Sequence, residues 1–118
     1  MHDHPPDLRT RTKQFALRIL RLYGALSTSN VAQVLGKQLL RSGTSVGAHY
    51  REGCRARSTA DFISELEGGL QELEETAYWL ELLVEGEVVP ADKVRSLQHE
   101  TDELTAILVT CVKKAKND

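Results

Sequence analysis

Apolar side chains recur every three or four residues along most of this chain, in four segments separated by short polar breaks. The most regular of the four rows consists of Phe62, Leu66, Leu70, Leu73, Ala77, Leu80 and Val84. Steps of three and four place such a row on one face of an α-helix. None of the segments shows the sustained alternation that a strand requires. The pattern therefore predicts an all-α protein.

The segments begin and end at recognisable signals. The first runs from about Asp7 to Leu26, and the second from about Asn30 to Ala56. The third opens at Ser58, which has an acidic residue three positions later in the manner of a capping box. Gly86 is expected to close the third helix as the left-handed residue after its last turn. The fourth segment follows Pro90, a residue that is tolerated at a helix start.

The breaks between segments are only two to four residues long. Helices joined by such short connections are antiparallel neighbours. The last segment also carries a heptad row of Val94, Leu97, Thr101, Leu104, Leu108 and Cys111. Because 118 residues suit a single core, we predict one antiparallel up-down-up-down four-helix bundle over residues 8–116, preceded by a flexible tail at residues 1–7.

The second segment combines a row of large residues with a row of small ones. The row expected to face the core is Val31, Leu35, Leu39, Ser42, Val46 and Tyr50. The small row contains Gly36, Gly43 and Gly47, with Cys54 further along. Glycine costs about 0.8–1 kcal/mol relative to alanine inside a helix, so these glycines predict close helix or subunit packing. A kink or break near Gly43-Thr44-Ser45 is the alternative, since glycine pairs also mark kinks.

The two halves of the chain carry opposite charge. Residues 1–57 hold ten Lys or Arg and three Asp or Glu, a net charge of +7, whereas residues 58–118 hold five and fourteen, a net charge of −9. The cations of the first half fall on one face of each predicted helix. The candidate phosphate-binding residues are Arg11, Arg18, Arg21, Lys37, Arg41, Arg51 and Arg55.

Three interpretations of this charge pattern stay open. The basic helices can pair with the acidic helices of the same bundle. The basic face of one subunit can also meet the acidic face of another, where complementary charge sets orientation more than affinity. The third interpretation is an electrostatic footprint for nucleic acid.

The sequence offers little support for catalysis, a cofactor or a metal. Di-iron bundles need Glu-x-x-His motifs on two helices, and neither these nor a phosphate-binding glycine loop occurs. His49 is expected to be a partly buried, hydrogen-bonded histidine, and Cys54 and Cys111 are expected to be buried thiols. With no secretory signal and no apolar span long enough for a membrane, the predicted location is the cytoplasm.

One motif adds a resemblance. Arg41-Ser42 and Ser45-Val46, followed by Glu52-Gly53, resemble the LxRSxxSIxANIAEG-like signature of the bacterial 23S rRNA intervening sequence proteins. Further elements of that family match at Ser58, Asp61-Phe62 and the helix Glu75-Thr76-Ala77-Tyr78-Trp79-Leu80. The resemblance covers about residues 8–115. His49-Tyr50 stands where Asn-Ile is usual, which affects a polar contact on the small-residue face.

The resemblance implies an antiparallel four-helix bundle that assembles into a ring, often a homopentamer. The family looks related to the accessory proteins of diversity-generating retroelements, which form basic barrels that bind nucleic acid and reverse transcriptase. We therefore expect a non-enzymatic oligomer that binds structured RNA or a ribonucleoprotein, or serves as a scaffold. The alternative is a purely structural homo-oligomer or protein-interaction module with no nucleic-acid binding.

Overall fold

The computed structural model describes residues 8–117, which form four helices and no strand. The helices are α1 (Leu8–Ala25), α2 (Asn30–Cys54), α3 (Thr59–Glu85) and α4 (Ala91–Asn117). Each helix packs along its successor in the chain, and α1 meets α4 along a looser seam that closes the bundle. The predicted all-α, antiparallel up-down-up-down bundle is confirmed. The tail predicted at residues 1–7 lies outside the described residues.

Serine side chains start two of the helices. The Ser29 hydroxyl accepts a hydrogen bond from the Ala32 amide at 3.2 Å, and Ser58 accepts one from the Asp61 amide at 3.0 Å. Each bond satisfies an amide that has no carbonyl partner within its helix. The end of α3 differs from our expectation, because Gly86 has an ordinary φ of −81° and the left-handed residue is Glu87, with φ 61°.

The core is built from large apolar residues of all four helices. The largest fully buried side chains are Leu8, Phe15, Ile19, Leu39, Val46, Leu66, Leu73, Leu80, Leu83, Val94, Leu104 and Leu108. Two buried hydroxyl groups cross the α2–α3 interface within this core, where Ser42 Oγ and Thr76 Oγ1 lie 2.8 Å apart. Burial of this apolar set supplies the main force that holds the helices together.

Glycines of α2 form the surface against which α1 packs. A Cβ at Gly43 would lie 2.7 Å from Ile19 Cγ1, and a Cβ at Gly47 would lie 3.1 Å from Thr12 Oγ1. Gly36 lies in the same way against Leu26, at 2.6 Å from its Cδ1. The helix α2 continues without interruption through these positions. Close packing of α1 accounts for the glycine row, and a break in the helix at Gly43 is excluded.

Two of the burial predictions for α2 were wrong. Val31 is 59% exposed, and Ala32 and Gly36 take the buried positions in the first turns. Gly36 lies inside because Tyr23 of α1 and Leu26, which follows that helix, come too close to it for a larger side chain. Cys54 is exposed because it occupies the last turn of α2, whereas Cys111 is buried as predicted.

Candidate functional site

Two basic residues of α1, Arg11 and Arg18, make contacts with α4. Arg11 donates from Nε to Glu100 Oε2 at 2.7 Å and from Nη2 to Oε1 at 2.8 Å. This charge-assisted pair lowers the pKa of Glu100 and raises that of Arg11. Arg18 donates to Ser96 Oγ at 2.8 Å, and Arg21 is exposed one turn further along.

The basic residues of α2 divide into paired and unpaired groups. Arg41 forms ion pairs with Glu72, at 3.4 Å, and with Glu75. Arg55, the residue that follows α2, pairs with Glu52 in the last turn of that helix. Lys37 is exposed and Arg51 is half-buried, and neither forms an ion pair with an acidic residue among residues 8–117.

The seven candidate residues therefore do not form one stripe. Arg11 and Arg18 make contacts with α4, whereas Arg41 makes contacts with α3. Pairing with the acidic helices accounts for Arg11 and Arg41, as the first of the three interpretations expects, whereas Arg55 pairs locally with Glu52. The cations that stay available to a partner are Arg18, Arg21, Lys37 and Arg51.

A histidine lies across the α2–α3 interface in a space made by glycine. The Nδ1 atom of His49 is 2.9 Å from Glu65 Oε1, and its Nε2 atom is 3.8 Å from Glu72 Oε2. A Cβ at Gly68 would lie 2.7 Å from the ring carbon Cε1. The prediction of a partly buried, hydrogen-bonded His49 is confirmed. The part played by Gly68 was missed, because it depends on how α3 aligns with α2.

The surface between α1 and α2 contains a groove of about 430 Å³. We call it the α1–α2 groove. It is lined by Thr12, Lys13, Ala16, Thr44, Gly47, Ala48 and Arg51. Small side chains form the floor of the groove. Lys13 lies on its α1 wall and Arg51 on its α2 wall. Leu20, one turn beyond Ala16 on α1, is 46% exposed beside it. The only signal in the sequence was the row of small residues, which we had assigned to packing alone.

Other kinds of site find no support in the described part of the chain. No group of three or more His, Cys, Asp or Glu side chains within residues 8–117 is placed to hold a metal ion. Nor does any helix in this range have the length and hydrophobicity to cross a membrane. Burial raises the pKa of the Cys111 thiol and of the Tyr50 hydroxyl. The α-carbons of α2 and α4 nowhere come within 8 Å, so Cys54 and Cys111 are too far apart for a disulfide.

Comparison with known proteins places this architecture in a family. The sequence profile described as "23S rRNA-intervening sequence protein" matches residues 7–110. The chain belongs to that family. A crystal structure at 1.70 Å resolution of a protein with unknown function, from the S23 ribosomal protein family of Bacteroides thetaiotaomicron VPI-5482, is similar to it. The two share 40% sequence identity and superpose with a TM-score of 0.84 over 89% of this chain and 97% of the other.

Among curated proteins none matches this chain. Neither the family description nor the Bacteroides structure indicates a catalytic family. Membership in the 23S rRNA-intervening sequence family confirms the resemblance carried by the Arg41-Ser42 and Glu52-Gly53 elements. It leaves the partner of the available cations as the question for this protein.

Proposed function

We propose that this chain is a non-enzymatic cytoplasmic protein that assembles into a ring of identical subunits, a homopentamer, and binds structured RNA or a ribonucleoprotein. The observation that carries the proposal is the set of cations that have no acidic partner among residues 8–117, in a chain whose first half has a charge of +7. A family named for insertions in 23S rRNA makes RNA the favoured ligand.

The residues proposed to bind phosphate are Arg18, Arg21 and Lys37. Arg21 and Lys37 are exposed, and both lie within three helical turns of the connection between α1 and α2. Arg18 is one turn from Arg21 and is held in place by Ser96. Three cations are too few for tight binding by one subunit. A ring repeats them around its axis, so the local field counts for more than the net charge of −2.

The first experiment measures fluorescence anisotropy of a labelled structured RNA as the assembled protein is added, at about 50 and about 200 mM salt. An assembly that makes roughly 6–10 phosphate contacts loses about 10³–10⁵ in affinity between these conditions. Arg21→Glu should weaken binding and flatten the salt dependence. Lys113→Glu, which makes the same charge change at an exposed site on α4, is the matched control and should bind like the original protein.

Absence of binding at the lower salt concentration would contradict the RNA part of the proposal. It would favour a purely structural oligomer or a protein-interaction module. A specific observation supports that second candidate, because Arg11, Arg41 and Arg55 are already paired with acids of the same chain.

A further inference from the structure

The α1–α2 groove has a counterpart on the opposite side of the bundle. The outermost residues of α3 follow one another in steps of four and three, and all of them are exposed. We call them the acidic stripe: Glu67, Gln71, Glu74, Tyr78, Glu81 and Glu85. Tyr78, 53% exposed, is the large apolar side chain of this stripe.

The charges of the two surfaces are complementary. Lys13 stands on the α1 wall of the groove and Arg51 on the α2 wall, and neither forms an ion pair among residues 8–117. Glu74 and Glu81 lie one turn before and one turn after Tyr78 and are likewise without an ion pair in that range. The groove thus has two cations around a floor of small residues, and the stripe has two carboxylates around an aromatic ring.

Helix packing explains how the two surfaces would meet. Large side chains of one helix fit into the spaces left by small residues of its neighbours. A helix that crosses the groove at a steep angle directs Glu74 to one wall and Glu81 to the other while Tyr78 enters between them. Tyrosine is enriched in interfaces because its ring buries apolar area and its hydroxyl stays hydrogen-bonded.

We propose that the α1–α2 groove of one copy of this chain holds the acidic stripe of the next copy, centred on Tyr78. This inference rests on the proposed assembly and names the surfaces that form it. The outer face of α4 is a poorer counterpart for the groove because its exposed positions mix both signs, as Arg95, Asp102 and Lys113 show. Because groove and stripe are different surfaces, the contact is head-to-tail, the kind that closes into rings.

In this proposal Arg51 contacts the neighbouring subunit, and Arg18, Arg21 and Lys37 remain available to bind phosphate groups.

Complementary charge fixes the orientation of such a contact between subunits, and placing like charges together costs several kcal/mol. Reversing the charge of either surface should therefore break the assembly, and reversing both should restore it.

The test compares masses by sedimentation velocity for three variants. They are Lys13→Glu/Arg51→Glu, Glu74→Lys/Glu81→Lys, and the protein with all four changes. We expect each double variant to dissociate about a hundredfold more readily than the original protein and the fourfold variant to assemble again. Tyr78→Ala should weaken assembly about tenfold without a change of charge. Circular dichroism checks that each variant is folded.

Arg95→Glu/Lys113→Glu is the matched control, with the same charge change on exposed positions of α4, and should assemble like the original protein. Unchanged assembly of both double variants, or a fourfold variant that stays monomeric, would overturn the pairing of these surfaces and leave the proposed assembly standing. An original protein that is monomeric at every concentration would refute the assembly itself, and this inference with it.

Discussion

The guanidinium of Arg11 holds the carboxylate of Glu100 by two hydrogen bonds, of 2.7 and 2.8 Å, across the seam between α1 and α4. This seam is the loosest of the four helix contacts in the described bundle. Only 17% of the Glu100 side chain is exposed, so water weakens the pair less than it weakens most surface ion pairs. The pair therefore holds α1 where apolar packing is thinnest.

Replacing Glu100 by Gln should lower the free energy of unfolding by about 1 kcal/mol near pH 7, because one charge of a two-point ion pair is lost. Arg11 lowers the pKa of Glu100 from its ordinary value of 4.5 in the folded chain. The stabilisation is thus complete above 4.5 and disappears as pH falls through the folded-state pKa. Urea unfolding should show a larger difference between the two proteins at pH 7 than at pH 3, where more of the Glu100 carboxylate is protonated. An equal difference at the two pH values would contradict the assignment.

Alanine at Gly43 and at Gly24 should change stability in opposite directions. A Cβ at Gly43 would lie 2.7 Å from Cγ1 of the stiff, buried Ile19, and overpacking of this kind costs about 1–3 kcal/mol. A Cβ at Gly24 has nothing within 4 Å. Gly24→Ala should therefore stabilise the protein by up to about 1 kcal/mol, because alanine has the higher helix propensity. Thermal melts of the two variants give the signs, and a gain in stability for Gly43→Ala would refute the close packing of α1 on α2.

The contact of His49 with Gly68 predicts a strong coupling between the two positions. Gly68→Ala alone should destabilise the protein or leave it unchanged, since the added Cβ would lie 2.7 Å from Cε1 of the imidazole. In a chain that also carries His49→Ala, the same change should stabilise by about 1 kcal/mol through helix propensity. A double-mutant cycle measured by urea unfolding should give a coupling of about 1–2 kcal/mol. If the effects of His49→Ala and Gly68→Ala on the free energy of unfolding are additive, the position of the imidazole does not depend on glycine at residue 68.

Glu87→Gly should raise the free energy of unfolding by about 0.5–1 kcal/mol. Glu87 has φ 61°, and this conformation costs an ordinary residue roughly 1–2 kcal/mol that glycine avoids. Part of the gain is lost because glycine is more flexible in the unfolded chain. The neighbouring Gly86→Ala is the control and should destabilise, because a Cβ there would lie 2.8 Å from the Leu82 carbonyl oxygen.

Much of the fold was predictable because each helix carries its own signals. The spacing of the apolar residues and the serine caps set the helix starts correctly at Asn30 and Thr59. The turn after α3 was placed one residue early, since the sequence shows a glycine at the usual position but not that Glu87 takes the left-handed conformation. Local patterns thus determine where helices begin and end, and tertiary contacts adjust the last residue.

The candidate site was less predictable because its charges depend on which helices face each other. The sequence placed Arg11 and Arg18 on one face of α1, but not that this face turns toward Glu100 and Ser96 of α4. Val31 was misplaced for a similar reason, because the approach of Leu26 favours the small Gly36 inside. The α1–α2 groove arises from residues about 30 positions apart, and no local pattern indicates its depth.

The buried hydroxyl groups have a consequence for redesign of this bundle. Thr12 donates to the Leu8 carbonyl and Thr101 to the Leu97 carbonyl, both on their own helices at 2.8 Å. Either threonine can therefore be exchanged for valine, which has nearly the same shape, without leaving a polar group of another helix unpaired. Ser42 and Thr76 share a hydrogen bond between helices, so a designer has to change these two together. The hydrogen bond between Ser42 and Thr76 thus couples the sequences of α2 and α3, whereas the hydroxyl groups of Thr12 and Thr101 can each be removed singly.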